Sequence, residues 1–131
     1  GTNNDYTDQA AFPSSFICLP TYAEENQDIL VRFSQAILKA QVYRAANIDE
    51  VAETLASDLE APVDTMLLAT GEGNWQGAVD CMGDIDAIRG FYEAQQQVFL
   101  NNGTITEEVP VDNYVLFDVM QAAYEAYSAN S

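Results

Sequence analysis

The sequence predicts a mainly α fold with a minor β component: five or so helices and one or two short strands in one globular domain of residues 12–131. An extended, polar lead-in of residues 1–11 precedes it. Three observations carry this reading. Asn26 to Asn47 holds one helical period for several turns, with Ile29, Leu30, Phe33, Ala36, Ile37, Ala40 and Tyr43 recurring at three- and four-residue steps. Capping residues recur ahead of further apolar periods. Only Ser14 to Leu19, an apolar run held between Pro13 and Pro20, has the composition of a strand.

Taken in order, the elements follow from local chemistry. A lone strand at Ser14 to Leu19 must find ladder partners, and the extended stretch Thr104 to Val111 is the candidate within the chain. Thr21 and Glu24 have capping-box spacing, and Asn26 can restart the helix as a second cap. Asn47 and Glu50 repeat that spacing ahead of Val51, Ala52, Leu55 and Leu59, a second helix that should pack on the first. Pro62 opens a third helix through Val63, Met66, Leu67 and Leu68, which Gly71 and Gly73 end. Glu72 to Met82 lacks a clean period and reads as a loop anchored by Trp75. Asp84 caps a fourth helix through Ile85, Ile88, Phe91, Tyr92, Gln95, Val98 and Phe99, stopped by Asn101, Asn102 and Gly103. Asp112 or Asn113 caps the last helix, which carries Tyr114, Phe117, Tyr124 and Tyr127.

Composition narrows the function. The chain has 131 residues, the size of one domain, with 48% hydrophobic residues. Its formal charge of −17 opposes binding to a nucleic-acid backbone or an anionic membrane surface. There is no histidine, which removes the commonest general base and metal ligand together. Without that base, neither Cys18 nor Cys81 has the partner a nucleophilic thiol needs; the two either form a single bridge or are buried as small hydrophobes. No apolar run reaches the ~20 residues of a membrane span.

The remaining motifs are better explained structurally. Gly71, Gly73 and Gly77 follow a helix and lack the Lys-Ser or Lys-Thr of a phosphate loop. Asp80, Asp84 and Asp86 lack the ligand spacing of a calcium loop and read as caps and turns. Glu24-Glu25 and Glu107-Glu108 are sequence neighbours whose side chains diverge. No catalytic constellation, metal site or cofactor site emerges. The ring of Trp75 beside the amide of Asn74 is a usual lining for a small-molecule cleft, although plugging the core is the competing role. The aromatic face from Tyr114 to Tyr127 is either core or a docking surface for another protein.

The order of features resembles a known family. The turn at Tyr22 to Asp28 is similar to a "FAEENPD" motif, Ala36 to Ala40 to an "A-L-L-K-A" helix core, and Asn47 to Glu53 to "NPDEAAE". Gln27 and Ile48 stand where prolines are usual. Gly103 to Val111 followed by Asp112 to Ala123 resembles a closing "G-x-I … P-V-D … F-D" passage. These are features of the solute-binding proteins of ABC importers in the nitrate, taurine, alkanesulfonate and thiamine-precursor group. The resemblance runs from about Phe12 to Tyr127, and it implies the carboxy-terminal portion of a two-lobed protein: a partial lobe of a type II periplasmic-binding-protein α/β fold.

It further implies a small-molecule solute as ligand, an ABC permease as partner, a periplasmic or extracytoplasmic location, and no enzymatic activity. Relatives that make the thiamine pyrimidine work through a histidine that this chain lacks. Phe12 and Ser14 would lie near the second hinge and, with Asn74 and Trp75, are the ligand-binding candidates. The stripe of the long helix would cover a sheet, later helices or another copy of the chain in a homodimer.

Overall fold

The computed structural model describes residues 14–71 and 75–130. They form seven α-helices and one short 3-10 turn: α1 (Pro20–Glu25), α2 (Gln27–Ala46), α3 (Ile48–Asp58), α4 (Val63–Gly71), α5 (Trp75–Cys81), α6 (Ile85–Asn101), a 3-10 turn at Val111–Asn113, and α7 (Phe117–Ser128). The protein is mainly helical. Among the described residues there is no strand, so the minor β component of the sequence reading is not met.

The two stretches with strand-like composition find other solutions. Ser14 to Leu19 is extended but exposed, with Ile17 at 95% and Leu19 at 72% of full exposure. It is attached by side chains: the Phe16 ring stands edge-on to Phe33 at 5.0 Å, and the Ser15 and Tyr92 hydroxyls lie 2.5 Å apart. The Thr104 to Val111 stretch is held by an amide that mimics a ladder. Buried Gln96 donates from Nε2 to the Val109 carbonyl at 2.9 Å and accepts the Val109 N–H at 2.6 Å.

α2 is the central packing element, against α7 and α5. Its buried line is Val31, Leu38 and Val42, which meet Val79 of α5 and Ala123, Tyr124 and Tyr127 of α7. At about 100° per residue this line lies on the opposite side of the helix from Ile29, Phe33, Ala40 and Tyr43. The stripe with the clearest sequence period is therefore the uncovered one, and Ile29, Phe33 and Tyr43 are each 40–50% exposed. A second cluster joins α6 to the 3-10 turn and the start of α7 through Ile88, Val111 and Phe117.

α3 packs mainly on α4, with few contacts to α2. The sequence pairs α2 with α3 because so few residues separate them; the buried alanines Ala52 and Ala56 instead give α3 a flat face, and the fully buried Thr70 lies on α4. Of the stretch read as a loop, Glu72 to Met82, the described part from Trp75 to Cys81 is helical. Gly77 and the shortness of α5 hide it locally, and it is held by burying Val79 in the core. Cys18 and Cys81 are free and exposed, neither bridged nor buried.

Several caps differ from the sequence reading. α1 starts at Pro20, whose fixed φ suits a first helical position, and Leu19 makes no side-chain cap. Asn26 and Asn47 do not cap the helices that follow. Each donates its side-chain N–H backward to the carbonyl four residues earlier, Tyr22 at 3.0 Å and Tyr43 at 2.8 Å, closing the preceding helix. Asp84 behaves as its position predicts, accepting the Ala87 N–H at 3.0 Å. α7 begins at Phe117, beyond Asp112 and Asn113, which belong to the 3-10 turn.

Candidate functional site

The residues nominated from sequence do not form one described cluster. Phe12 and Asn74 lie outside the described residues. Ser14 is exposed at the start of the extended segment. Trp75, at the first position of α5, is half-buried and engaged within the chain: its Nε1 donates to the Thr70 carbonyl at 2.7 Å, and the Arg44 guanidinium carbon sits 3.6 Å from its ring centroid. The ring thus ties the end of α4 to the last turn of α2.

Arg44 is unusual for a cation. Its guanidinium lies over Trp75, burial pushes its pKa below the ordinary arginine value, and its Nε is buried with no hydrogen-bond partner. The Thr70 hydroxyl, at the other side of the tryptophan linkage, is likewise buried without a partner. A cation stacked on an indole face gains about 0.5–2 kcal/mol depending on its desolvation. An unmet N–H costs on the same scale.

Arg44 also borders an open groove. This groove, of about 720 Å³, is lined by Phe16, Ile37, Ala40, Tyr43 and Val51 together with Lys39, Gln41 and Arg44. It occupies the uncovered side of α2. The Tyr43 hydroxyl is hydrogen-bonded to Glu50, which raises the tyrosine pKa and engages that carboxylate. A smaller hollow of about 250 Å³ lies between α6 and the 104–114 segment, lined by Tyr92, Gln95, Gln96, Phe99, Ile105, Val109 and Tyr114. Its tyrosines meet edge-on, with ring centroids 6.3 Å apart. Burial, then the neighbouring Tyr92 and Glu93, raise the pKa of Tyr114.

The acidic side chains are used singly. Asp80 accepts from Gln76 at 2.9 Å and Asp84 caps α6. Among the described residues no three His, Cys, Asp or Glu side chains gather where a metal ion could bind. None of the described helices is long and apolar enough to cross a membrane. Sequence reasoning missed Arg44 and Lys39, since both sit on a helix whose basic residues look solvated. The signal was present: only four basic residues occur in the chain, and two border one apolar stripe.

No protein-family model matches the chain, and neither curated proteins nor solved structures provide a match.

Proposed function

We propose that this chain is a portion of an extracytoplasmic solute-binding component of an ABC importer, whose whole captures a small solute and hands it to a membrane permease. The observation supporting this reading is the second apolar face of α2. A helix that is apolar on two sides belongs in an interior, yet Ile29, Phe33 and Tyr43 are open beside the exposed Phe16, Ile17 and Leu19. Large apolar surface left bare on a domain of this size marks an interface. In a two-lobed binding protein the remaining polypeptide would cover it, and the order of motifs from Tyr22 to Ala123 supports the same assignment.

The coding region upstream of Gly1 tests this directly. A signal peptide followed by βα-rich segments is the expected result, and the longer polypeptide should then melt at higher temperature with its solute from a screened panel. A stop codon in frame immediately upstream would sink the reading. The second reading is a helical protein-interaction module. The exposed α2 face and the bare Leu59, Val63, Leu67 and Leu68 of the α3–α4 pair favour it. The Tyr114–Tyr127 face does so less, because Phe117 is buried and Tyr124 and Tyr127 pack against the core. Light scattering showing a defined oligomer would support the module, and a monomer at high concentration would count against self-association.

A further inference from the structure

Asn102 uses its side chain differently from three other asparagines at helix ends. Asn26, Asn47 and Asn130 each donate an Nδ2–H backward to the carbonyl four residues earlier, at 3.0, 2.8 and 2.6 Å. Asn102, the residue after α6, turns its carboxamide forward: Oδ1 accepts the Thr104 N–H at 3.0 Å and the Thr104 hydroxyl at 2.5 Å. Its Nδ2 makes no hydrogen bond among the described residues. Asn102, Gly103 and Thr104 are all exposed. Gly103 stands at φ +75°, and a Cβ there would meet nothing within 4 Å, so the middle of the turn faces open space.

Asn102-Gly103-Thr104 is also the one Asn-x-Ser/Thr triplet in the sequence. That triplet is the acceptor of N-linked glycosylation, which requires a surface position on a polypeptide outside the cytosol. We infer that Asn102 is an N-glycosylation site. The acceptor atom is Nδ2, which the turn leaves unengaged, and the hydroxyl that the triplet requires already lies on the same carboxamide. In the transfer, Nδ2 forms a bond to the anomeric carbon of an oligosaccharide carried on a lipid diphosphate. The bond from that carbon to the diphosphate oxygen breaks, the lipid diphosphate leaves with the electron pair, and Nδ2 gives up one proton to a basic group of the transferase.

The competing fate of an Asn-Gly pair is deamidation, in which the Gly103 nitrogen attacks the Asn102 side chain. That nitrogen donates to the Leu100 carbonyl at 3.1 Å within the closing turn of α6, which opposes the rearrangement. The inference goes beyond solute binding and shares with the importer reading only a place outside the cytosol.

The purified chain is incubated with a purified oligosaccharyltransferase and a synthetic lipid diphosphate oligosaccharide, then analysed by intact mass and peptide mapping. The expected result is a single added glycan, mapped to Asn102. Asn102→Gln and Thr104→Val should each abolish it, while Thr104→Ser, which keeps the hydroxyl, should retain it. The Thr104 N–H bond to the Phe99 carbonyl at 2.9 Å survives all three changes, so circular-dichroism melting close to the wild type separates lost acceptance from lost fold. An unmodified chain, a glycan that persists in Thr104→Val, or deamidation alone would overturn the inference. A glycan on Asn102 without upstream βα-rich segments would leave the site standing and remove the importer reading. Upstream βα-rich segments with an unmodified Asn102 would do the opposite.

Discussion

Gln96 replaces a neighbouring strand for the segment it holds. Its amide presents one donor and one acceptor at the spacing of a peptide group, and Val109 uses both. Gln96→Leu should therefore cost about 1–3 kcal/mol, because both backbone groups of Val109 lose their partner beside a buried side chain; urea unfolding measures it. The Arg89–Asp112 pair acts at the surface. The hydrogen bond from Arg89 holds the Asp112 carboxyl below its ordinary pKa. Its stabilisation is thus present above the unfolded value of ~3.9 and is lost as pH falls through the depressed folded value. Asp112→Asn should melt below the wild type at pH 7, by a margin kept small by solvent. The two curves should converge as pH falls through the depressed value of Asp112.

Two helices end in the same geometry with different residues. At the end of α6 the Thr104 N–H donates to the Phe99 carbonyl at 2.9 Å and the Gly103 N–H to Leu100 at 3.1 Å, with Gly103 at φ +75°. At the end of α3 the Ala61 N–H reaches the Ala56 carbonyl at 3.0 Å, and Glu60 occupies the left-handed position at φ 50°. Both have the long closing bond of a Schellman cap. Only the glycine version is legible, because glycine marks the position and glutamate hides it. A side chain there is strained by roughly 1–2 kcal/mol. Glu60→Gly should therefore raise stability by up to about 1 kcal/mol after glycine's extra chain entropy is counted, a difference readable as a higher melting temperature.

The helix starts show the converse. Asp84 is readable as a cap because an isolated carboxylate before an apolar period has one obvious acceptor role. Asn26 and Asn47 sit between abutting helices and could serve either one. Their amide N–H groups bind the carbonyls behind them, a choice set by the backbone between the helices. The spacing of Asn47 and Glu50 alone does not contain that choice. The candidate site was legible in the same partial way: Trp75 stood out as the single tryptophan, but the cation over its ring comes from 31 positions earlier in the chain.

For the whole molecule, the division of labour on α2 decides most of the energetics. Leu38→Ala should cost about 2–5 kcal/mol, since it opens a cavity among Val79, Ala123 and their neighbours. Phe33→Ser should cost under about 1 kcal/mol in this chain, because that ring is already 43% exposed and touches mainly Phe16. Chemical denaturation of both variants checks the pair, and reversed magnitudes would mean that the buried and open faces have been exchanged.

The sequence by itself determined the helical class, the long central helix, the Asp84 start and the Gly103 stop of α6, and the exclusion of histidine chemistry. Each depends on local periodicity, one residue's backbone preference, or simple composition. Only the tertiary structure decided which side of α2 is core. Both sides carry apolar residues, and α5 and α7 bury Val31, Leu38 and Val42 against the small side chains of Val79 and Ala123. Periodicity measures that a helix has an apolar stripe. Which stripe is covered depends on the shapes of helices far away in the chain, and here they leave the more regular one open.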